Sequence, residues 1–196
     1  MQYQKTEVRN RIRNAAIDEF YDKGFPLASL RKITEKAQIS TSNFYTYFED
    51  KESLFNSIVE GLYDAFTVFM TNCKVLQLQN TYPDFYARIE NGFADLIKAN
   101  RKQLVIILDG SQHTKYEDYH KKLISQMKLC CKHMIFHFPD EFPSENFNMF
   151  NLHIVESLLV HGLLVIARNC DTDESIEQSV KALLKYHFTG LRALFA

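Results

Sequence analysis

Thr41, Ser42, Asn43, Tyr45 and Thr46 lie almost consecutively in the segment SLRKITEKAQISTSNFYTYFEDK, residues 29–51. Every one of these side chains can donate or accept a hydrogen bond, and none is acidic. That chemistry suits a surface that meets a polyanion and reads donor and acceptor patterns on its edge. Phe44 and Phe48 fall between and after them, one helical turn apart, and are expected in the core behind that surface.

Other reactive side chains are sparser. Cys130, His133 and His137 recur at one-turn steps and have the chemistry of a zinc or copper ligand set, but a helix that happens to be rich in histidine accounts for them more simply, and no metal or cofactor is expected. Glu117-x-x-His120 is half of a di-iron pattern, with no second half in the chain. Cys73, Cys130, Cys131 and Cys170 form no C-x-x-C pair. Nucleophile-elbow, zincin, Walker and dinucleotide-binding signatures are absent, so binding rather than catalysis is expected.

The elements that must position the polar cluster can be traced by periodicity. Val8, Ile12, Ala15, Ala16 and Phe20 form one apolar stripe of a first helix, about Lys5 to Lys23, closed by Gly24 with Pro26 beyond. Ser29 is a natural N-cap for a short helix, Leu30 to Lys36. After the break Ala37-Gln38-Ile39-Ser40, Ser40 can cap a third helix, Thr41 to Phe48. Asp50 can cap a fourth, running to about Gln77 and carrying Leu54, Phe55, Ile58, Val59, Leu62, Phe66 and Phe69. A short helix, a tight break and a second short helix make a helix-turn-helix, whose second helix is small enough for the major groove, about 12 Å wide.

Residues 5–55 resemble the DNA-binding region of the TetR family of bacterial transcriptional regulators. The family's recognition segment runs close to V-S-x-G-T-L-Y-x-H/Y-F, followed by Lys and then Leu. Here it reads Ile39-Ser40-Thr41-Ser42-Asn43-Phe44-Tyr45-Thr46-Tyr47-Phe48, then Lys51 and Leu54. Ser29, Ile33-Thr34, Ala37-Gln38, Phe20 and Gly24-Phe25 match further elements. Two positions depart. Gln38 replaces the usual turn glycine, at about 1 kcal/mol if its backbone is left-handed, and Ser42 replaces a glycine on the DNA face.

The resemblance implies that Ser29, Tyr47 and Lys51 touch phosphates, and that Thr41, Ser42, Asn43 and Tyr45 are candidates for base edges. Ser40 belongs with them as the cap of the recognition helix. Asn43 is suited to adenine, because its amide can donate and accept at once.

Beyond residue 80 the periodicity predicts helices over Pro83–Asn100, Arg101–Leu108 and Lys115–Phe138. Two more follow, one from a Ser144 cap to about Asn169 and one from a Thr172 cap to about Leu194. Leu158, Leu159, Val160, Leu163, Leu164, Val165 and Ile166 make the penultimate helix apolar nearly all round, which demands burial on more than one side. Ile176, Val180, Leu183, Leu184, His187, Phe188, Leu191 and Phe195 form a stripe on the last. The resemblance implies that these two helices pair with their copies in a homodimer, with Leu158, Leu159, Leu163, Ile166, Val180, Leu184, Phe188 and Leu191 at the interface. It also implies a small-molecule effector inside the helical body. Phe66, Phe69, Met70, Tyr86, Phe93, His113 and Tyr116 are candidates to line its site, which would suit an apolar or aromatic ligand.

Composition agrees with an all-α chain. Of 196 residues, 46% are hydrophobic, with only Gly 6 and Pro 4, too few for a turn-rich β fold. Residues 1–48 hold eight Lys/Arg and five Asp/Glu, a net of +3 against −1 for the whole, so the basic end is the one suited to a polyanion. The longest nearly apolar run, Ser157 to Ala167, is shorter than the about 20 residues of a membrane span, and a cytoplasmic location with reduced thiols is expected. The expected architecture is an N-terminal three-helix helix-turn-helix domain (1–50) joined to a larger helical ligand-sensing and dimerisation domain (51–196). The expected function is a ligand-responsive regulator, most simply a repressor, on double-stranded, near-palindromic operator DNA. The competing reading is a helical-bundle enzyme or a metal or small-molecule carrier without DNA binding.

Overall fold

The computed structural model describes residues 2–142 and 147–195. Among them every regular element is a helix: α1 (Gln2–Leu27), α2 (Leu30–Lys36), α3 (Thr41–Phe44), α4 (Lys51–Gln79), α5 (Tyr82–Asp109), α6 (Tyr119–His137), α7 (Met149–Asn169) and α8 (Asp173–Phe195).

The chain forms two compact units. One comprises the chain up to Tyr63 together with Lys102–Tyr119; the other comprises Asp64–Arg101 and the chain from His120 onward. The first helical turns of α4 and the end of α5 belong with the helix-turn-helix because two glycines let the backbones meet. The Phe25 N–H donates to the Gly110 carbonyl at 2.7 Å, and a Cβ on Gly110 would stand 3.2 Å from Gly24 Cα. Gly24, at φ 69 and ψ 166, also interrupts α1, leaving its last residues as a separate turn after the expected stop.

In this first unit Ile12, Ala15, Ala16 and Phe20 are buried as one stripe. Phe20 and Phe25 each meet Phe55 edge-on at 5.2 Å. Asp18 ties α1 to Lys36 at 2.6 Å and to Lys102 of α5 at 2.5 Å, and these bonds, Lys102 first, hold its carboxyl below the ordinary range.

In the second unit Gly92 of α5 lies against Phe69 of α4, since a Cβ there would come 2.3 Å from the ring. Gly162 does the same for the crossing of α7 over α8 at Leu183. The two helices expected over 83–108 are one element broken at Asn100 (φ −139, ψ 30). The helix expected from Lys115 starts at Tyr119, because Ser111–Tyr116 folds into turns in which the Thr114 hydroxyl donates to the Ser111 carbonyl at 2.7 Å. Thr172 caps α8 as expected, its hydroxyl oxygen accepting from the Ser175 N–H at 3.2 Å. The expected Ser144 cap lies outside the described residues; Asn148 caps α7, its Oδ1 accepting from the Phe150 N–H at 2.8 Å.

Helix α7 also revises the reading of hydropathy. At 21 residues and a mean hydropathy of 1.7 it is long and apolar enough to cross a membrane by length and composition, because the helix extends well beyond the apolar run. It packs against α8 as a core helix, with Leu152, Leu159, Val160, Leu163 and Ala167 buried.

Candidate functional site

The helix-turn-helix is built by caps. Ser29 Oγ accepts from the Lys32 N–H at 3.4 Å to start α2, while Glu19 Oε1 of α1 accepts the Ser29 N–H at 3.0 Å. The turn between α2 and α3 passes through Gln38 at φ 57, a left-handed position held without glycine. Ser40 Oγ then accepts from the Asn43 N–H at 3.1 Å to start α3. Helix α3 is shorter than expected, ending at Phe44, with the chain continuing in tight turns as the Thr46 and Tyr47 N–H groups reach back to Asn43 and Phe44 carbonyls. Phe44 and Phe48 are buried with ring centroids 5.7 Å apart, which turns Thr41, Ser42, Asn43, Tyr45 and Thr46 to solvent.

That exposed face is partly ordered by its own hydrogen bonds. Ser40 and Ser42 share one at 3.0 Å. The Thr46 hydroxyl reaches the Asn43 carbonyl at 2.7 Å and Asn43 Oδ1 at 3.1 Å, which orients the amide and leaves its NH2 outward. Thr34 donates its hydroxyl proton to the Arg31 carbonyl at 3.0 Å, so in its contact with Thr41 at 3.3 Å the donor is Thr41. Tyr47 is half-buried; its carbonyl accepts from Arg9, whose guanidinium lies 4.5 Å from the Phe48 ring. Lys51, for which the resemblance implies a phosphate contact, is half-buried. Its ammonium donates to the carbonyls of Phe25 at 2.8 Å and Ala28 at 3.1 Å, inside its own unit.

The second unit holds an apolar cavity of about 50 Å³, well below the roughly 300–1,000 Å³ of small-molecule sites, so an effector would have to displace part of its wall. Phe69, Met70, Cys73 and Gln77 of α4 line it with Phe85, Ile89 and Phe93 of α5 and Met127, Cys130, Cys131 and Met134 of α6. Glu156 and Leu159 of α7 and Leu184, His187 and Phe188 of α8 complete the wall. Burial, and then Cys130 nearby, push the Cys73 thiol up to about 12; burial and Glu156 push Cys131 well above its ordinary value.

Of the effector candidates, Phe69, Met70 and Phe93 are therefore in the wall and four are not. Tyr86 lines an outer groove with Tyr82, Glu90, Lys181, Lys185 and Arg192. Phe66 is buried outside the lining. His113 and Tyr116 belong to the other unit, where Tyr116 packs on Tyr63 at 5.6 Å and near Phe55. Glu156 and His187 line the cavity without having been candidates; a lone carboxylate beside the apolar run of α7, and a histidine within the apolar stripe of α8, were the available signals.

Residues 12–58 match the family described as bacterial regulatory proteins, tetR family. An uncharacterized HTH-type transcriptional regulator, YdgC of Bacillus subtilis (strain 168), is 36% identical over 59 residues, a segment that is 30% of this chain and 30% of that protein. A TetR-family regulator from Bordetella parapertussis 12822 superposes with a TM-score of 0.67 at 17% identity, over 92% of this chain and 93% of its own. NalD, the secondary repressor of the MexAB-OprM multidrug efflux pump in Pseudomonas aeruginosa, gives a TM-score of 0.60 at 18% identity, over 97% and 98%. Residues 12–58 thus carry the DNA-binding segment of the tetR family, and the whole chain shares the fold of these regulators.

The expected interface residues divide. Leu158 is 58% exposed, but Leu159, Leu163, Ile166, Val180, Leu184, Phe188 and Leu191 are buried within the chain itself. They are core because an all-round apolar α7 must turn one side inward, and that side packs on the stripe of α8. The apolar side left outward carries Phe150, Ile154, Leu158 and Val165 on α7, with Tyr186 and Leu194 exposed on α8. Likewise, Cys130, His133 and His137 do not converge: both histidines are exposed, whereas Cys130 Sγ faces the Met70 carbonyl at 3.6 Å.

Proposed function

We propose that the protein is a ligand-responsive, DNA-binding transcriptional regulator that represses from a near-palindromic operator as a cytoplasmic homodimer. The observation that carries this reading is the exposed, acid-free face of Thr41, Ser42, Asn43, Tyr45 and Thr46, held outward by buried Phe44 and Phe48 on a TetR-family helix-turn-helix. Ser42, Asn43 and Tyr45 meet base edges, with Thr41 at the start of α3; Ser29, Ser40 and Tyr47 set the register on phosphates.

The outward apolar side of α7 and α8 supports a two-fold dimer, which presents two recognition helices and so requires a two-fold site. The aromatic and sulfur-rich cavity supports a small apolar or aromatic effector. Such a ligand releases the operator only if it binds the DNA-incompetent state more tightly. Helix α4 contributes Lys51 to one unit and Phe69, Met70 and Cys73 to the other, so a displacement at the cavity has a covalent path toward the DNA-binding end. The chemistry is binding, without a catalytic step.

Selection of bound duplexes from a random pool tests this. The native protein should enrich a palindromic site that Asn43→Ala and Tyr45→Ala proteins bind poorly. Enrichment of no sequence by a folded, dimeric protein at moderate salt would overturn the reading.

A further inference from the structure

The cavity wall contains one polar cluster drawn from three helices. Cys131 of α6, Glu156 of α7 and His187 of α8 are all buried, and their ligand atoms lie within 4.8 Å of one another. Glu156 is only 1% exposed. Its Oε1 stands 3.3 Å from His187 Nε2, yet outside hydrogen-bonding alignment, and has no hydrogen-bond partner. A buried carboxylate oxygen left in that state carries a large desolvation cost unless something positive meets it.

We propose that Cys131, Glu156 and His187 form a mononuclear site for zinc or a similar borderline divalent ion. The spacing fits. With zinc bonds of about 2.0–2.1 Å to nitrogen and oxygen, tetrahedral ligands of these types stand about 3.3 Å apart, the separation found between Glu156 and His187. A thiolate ligand would stand about 3.6 Å from each, so Cys131 Sγ needs a shift of about 1 Å at most from its place in the cluster. The donor set of thiolate, imidazole and carboxylate is that of a borderline ion rather than of magnesium or calcium. Met70, Met127, Met134 and Cys73 line the same cavity and extend its soft character. Three protein ligands leave a fourth position toward the small cavity, where water, or a donor atom of an effector once the wall has moved, would complete the shell.

This deepens the reading of the cavity as the effector chamber and rests on it only for that fourth position; metal binding itself is read without DNA. The test titrates the full chain, stripped with chelator and kept reduced, with Co(II) and then Zn(II). Expected are one equivalent of Co(II) per chain, visible absorption of four-coordinate Co(II) with a thiolate charge-transfer band, and bleaching by Zn(II). Cys131→Ser, Glu156→Gln and His187→Gln should each weaken binding about 100-fold, with circular dichroism reporting the fold. His133→Gln and Cys170→Ser should leave it unchanged. No stoichiometric binding by the folded native chain would overturn the proposal. So would binding that survives in folded variants of all three residues, which would place the ion on exposed histidines. Whether the same protein selects an operator is measured separately, so either reading can fail alone.

Discussion

The ammonium of Lys51 lies 2.8 Å from the carbonyl oxygen of Phe25 and 4.5 Å over the ring of the same residue. With its second bond to Ala28, Lys51 fastens the start of α4 to the link between α1 and α2. A charge-assisted bond of this kind contributes about 1.5–3 kcal/mol, so Lys51→Ala should lower the unfolding free energy by roughly that amount. Two of the three N–H donors of its Nζ are engaged within the protein, so the same change should leave the slope of log affinity against log salt unaltered. A slope smaller by about 1 with an unchanged Tm would instead identify Lys51 as a phosphate contact.

Asn43 presents an amide whose oxygen is already oriented by Thr46. Asn43→Ala should cost about 1–3 kcal/mol at one base step of each half-site and relax the preference there. Thr46→Val removes the orienting hydroxyl and should give a smaller loss at the same step. Anisotropy titrations against the selected site and its single-base variants read both. Losses spread evenly over all sequences would place these side chains on the backbone instead.

The parts that local chemistry controls were legible in the sequence, and the parts that depend on distant packing were not. Ser29, Ser40, Asp50 and Thr172 act within a few residues of themselves, and all four cap as their types predict; Asp50 Oδ1, for instance, accepts from the Ser53 N–H at 2.6 Å. Gln38 is left-handed because the turn demands it, whichever residue occupies it. The cavity gathers five helices, so Phe69 and Phe93 are identified by being aromatic while Tyr116, equally aromatic, goes to the other unit. An apolar stripe does not say which partner covers it, and so Leu163 and Leu191 became core rather than surface.

Asp18 sets the acid response of the first unit. Its carboxyl is held below the ordinary 3.8 by hydrogen bonds from Lys102 and Lys36. A depressed carboxylate pKa stabilises the fold above the unfolded value, and that contribution is lost as pH falls through the folded value. The side chain is 36% exposed, so screening limits the pair to about 1 kcal/mol or less. Asp18→Asn should therefore lower Tm slightly at neutral pH, with the difference closing below about pH 3.8. A Tm difference that persists undiminished at lower pH would assign the effect to packing.

Gly92 controls the cavity through Phe69. A Cβ at residue 92 would meet the Phe69 ring edge at 2.3 Å, so Gly92→Ala must drive that ring from its place in the wall. Overpacking of this kind costs about 1–3 kcal/mol. The affinity for a fluorescent apolar probe such as anilinonaphthalene sulfonate should fall about tenfold, about 1.4 kcal/mol, in a protein that still folds. Unchanged probe affinity would place the probe, and by extension the effector, away from Phe69.

Helix α7 separates self-association from folding by side. Ile154 is 45% and Leu158 58% exposed, whereas Leu163 is 1% exposed and packed within the chain. A charge on the outward side loses no core contact in the monomer but, in the proposed dimer, would meet its own copy across the two-fold interface, where unpaired burial is costly. Leu158→Glu should thus give a folded monomer, read as a halved mass by light scattering with unchanged helical circular dichroism. Its operator affinity should fall steeply, because the two half-sites are no longer bound by linked recognition helices. Leu163→Glu should instead unfold the chain, since an unpaired charge at that depth costs several kcal/mol. A Leu158→Glu protein that remains dimeric would move the interface off the Phe150, Ile154, Leu158 and Val165 stripe.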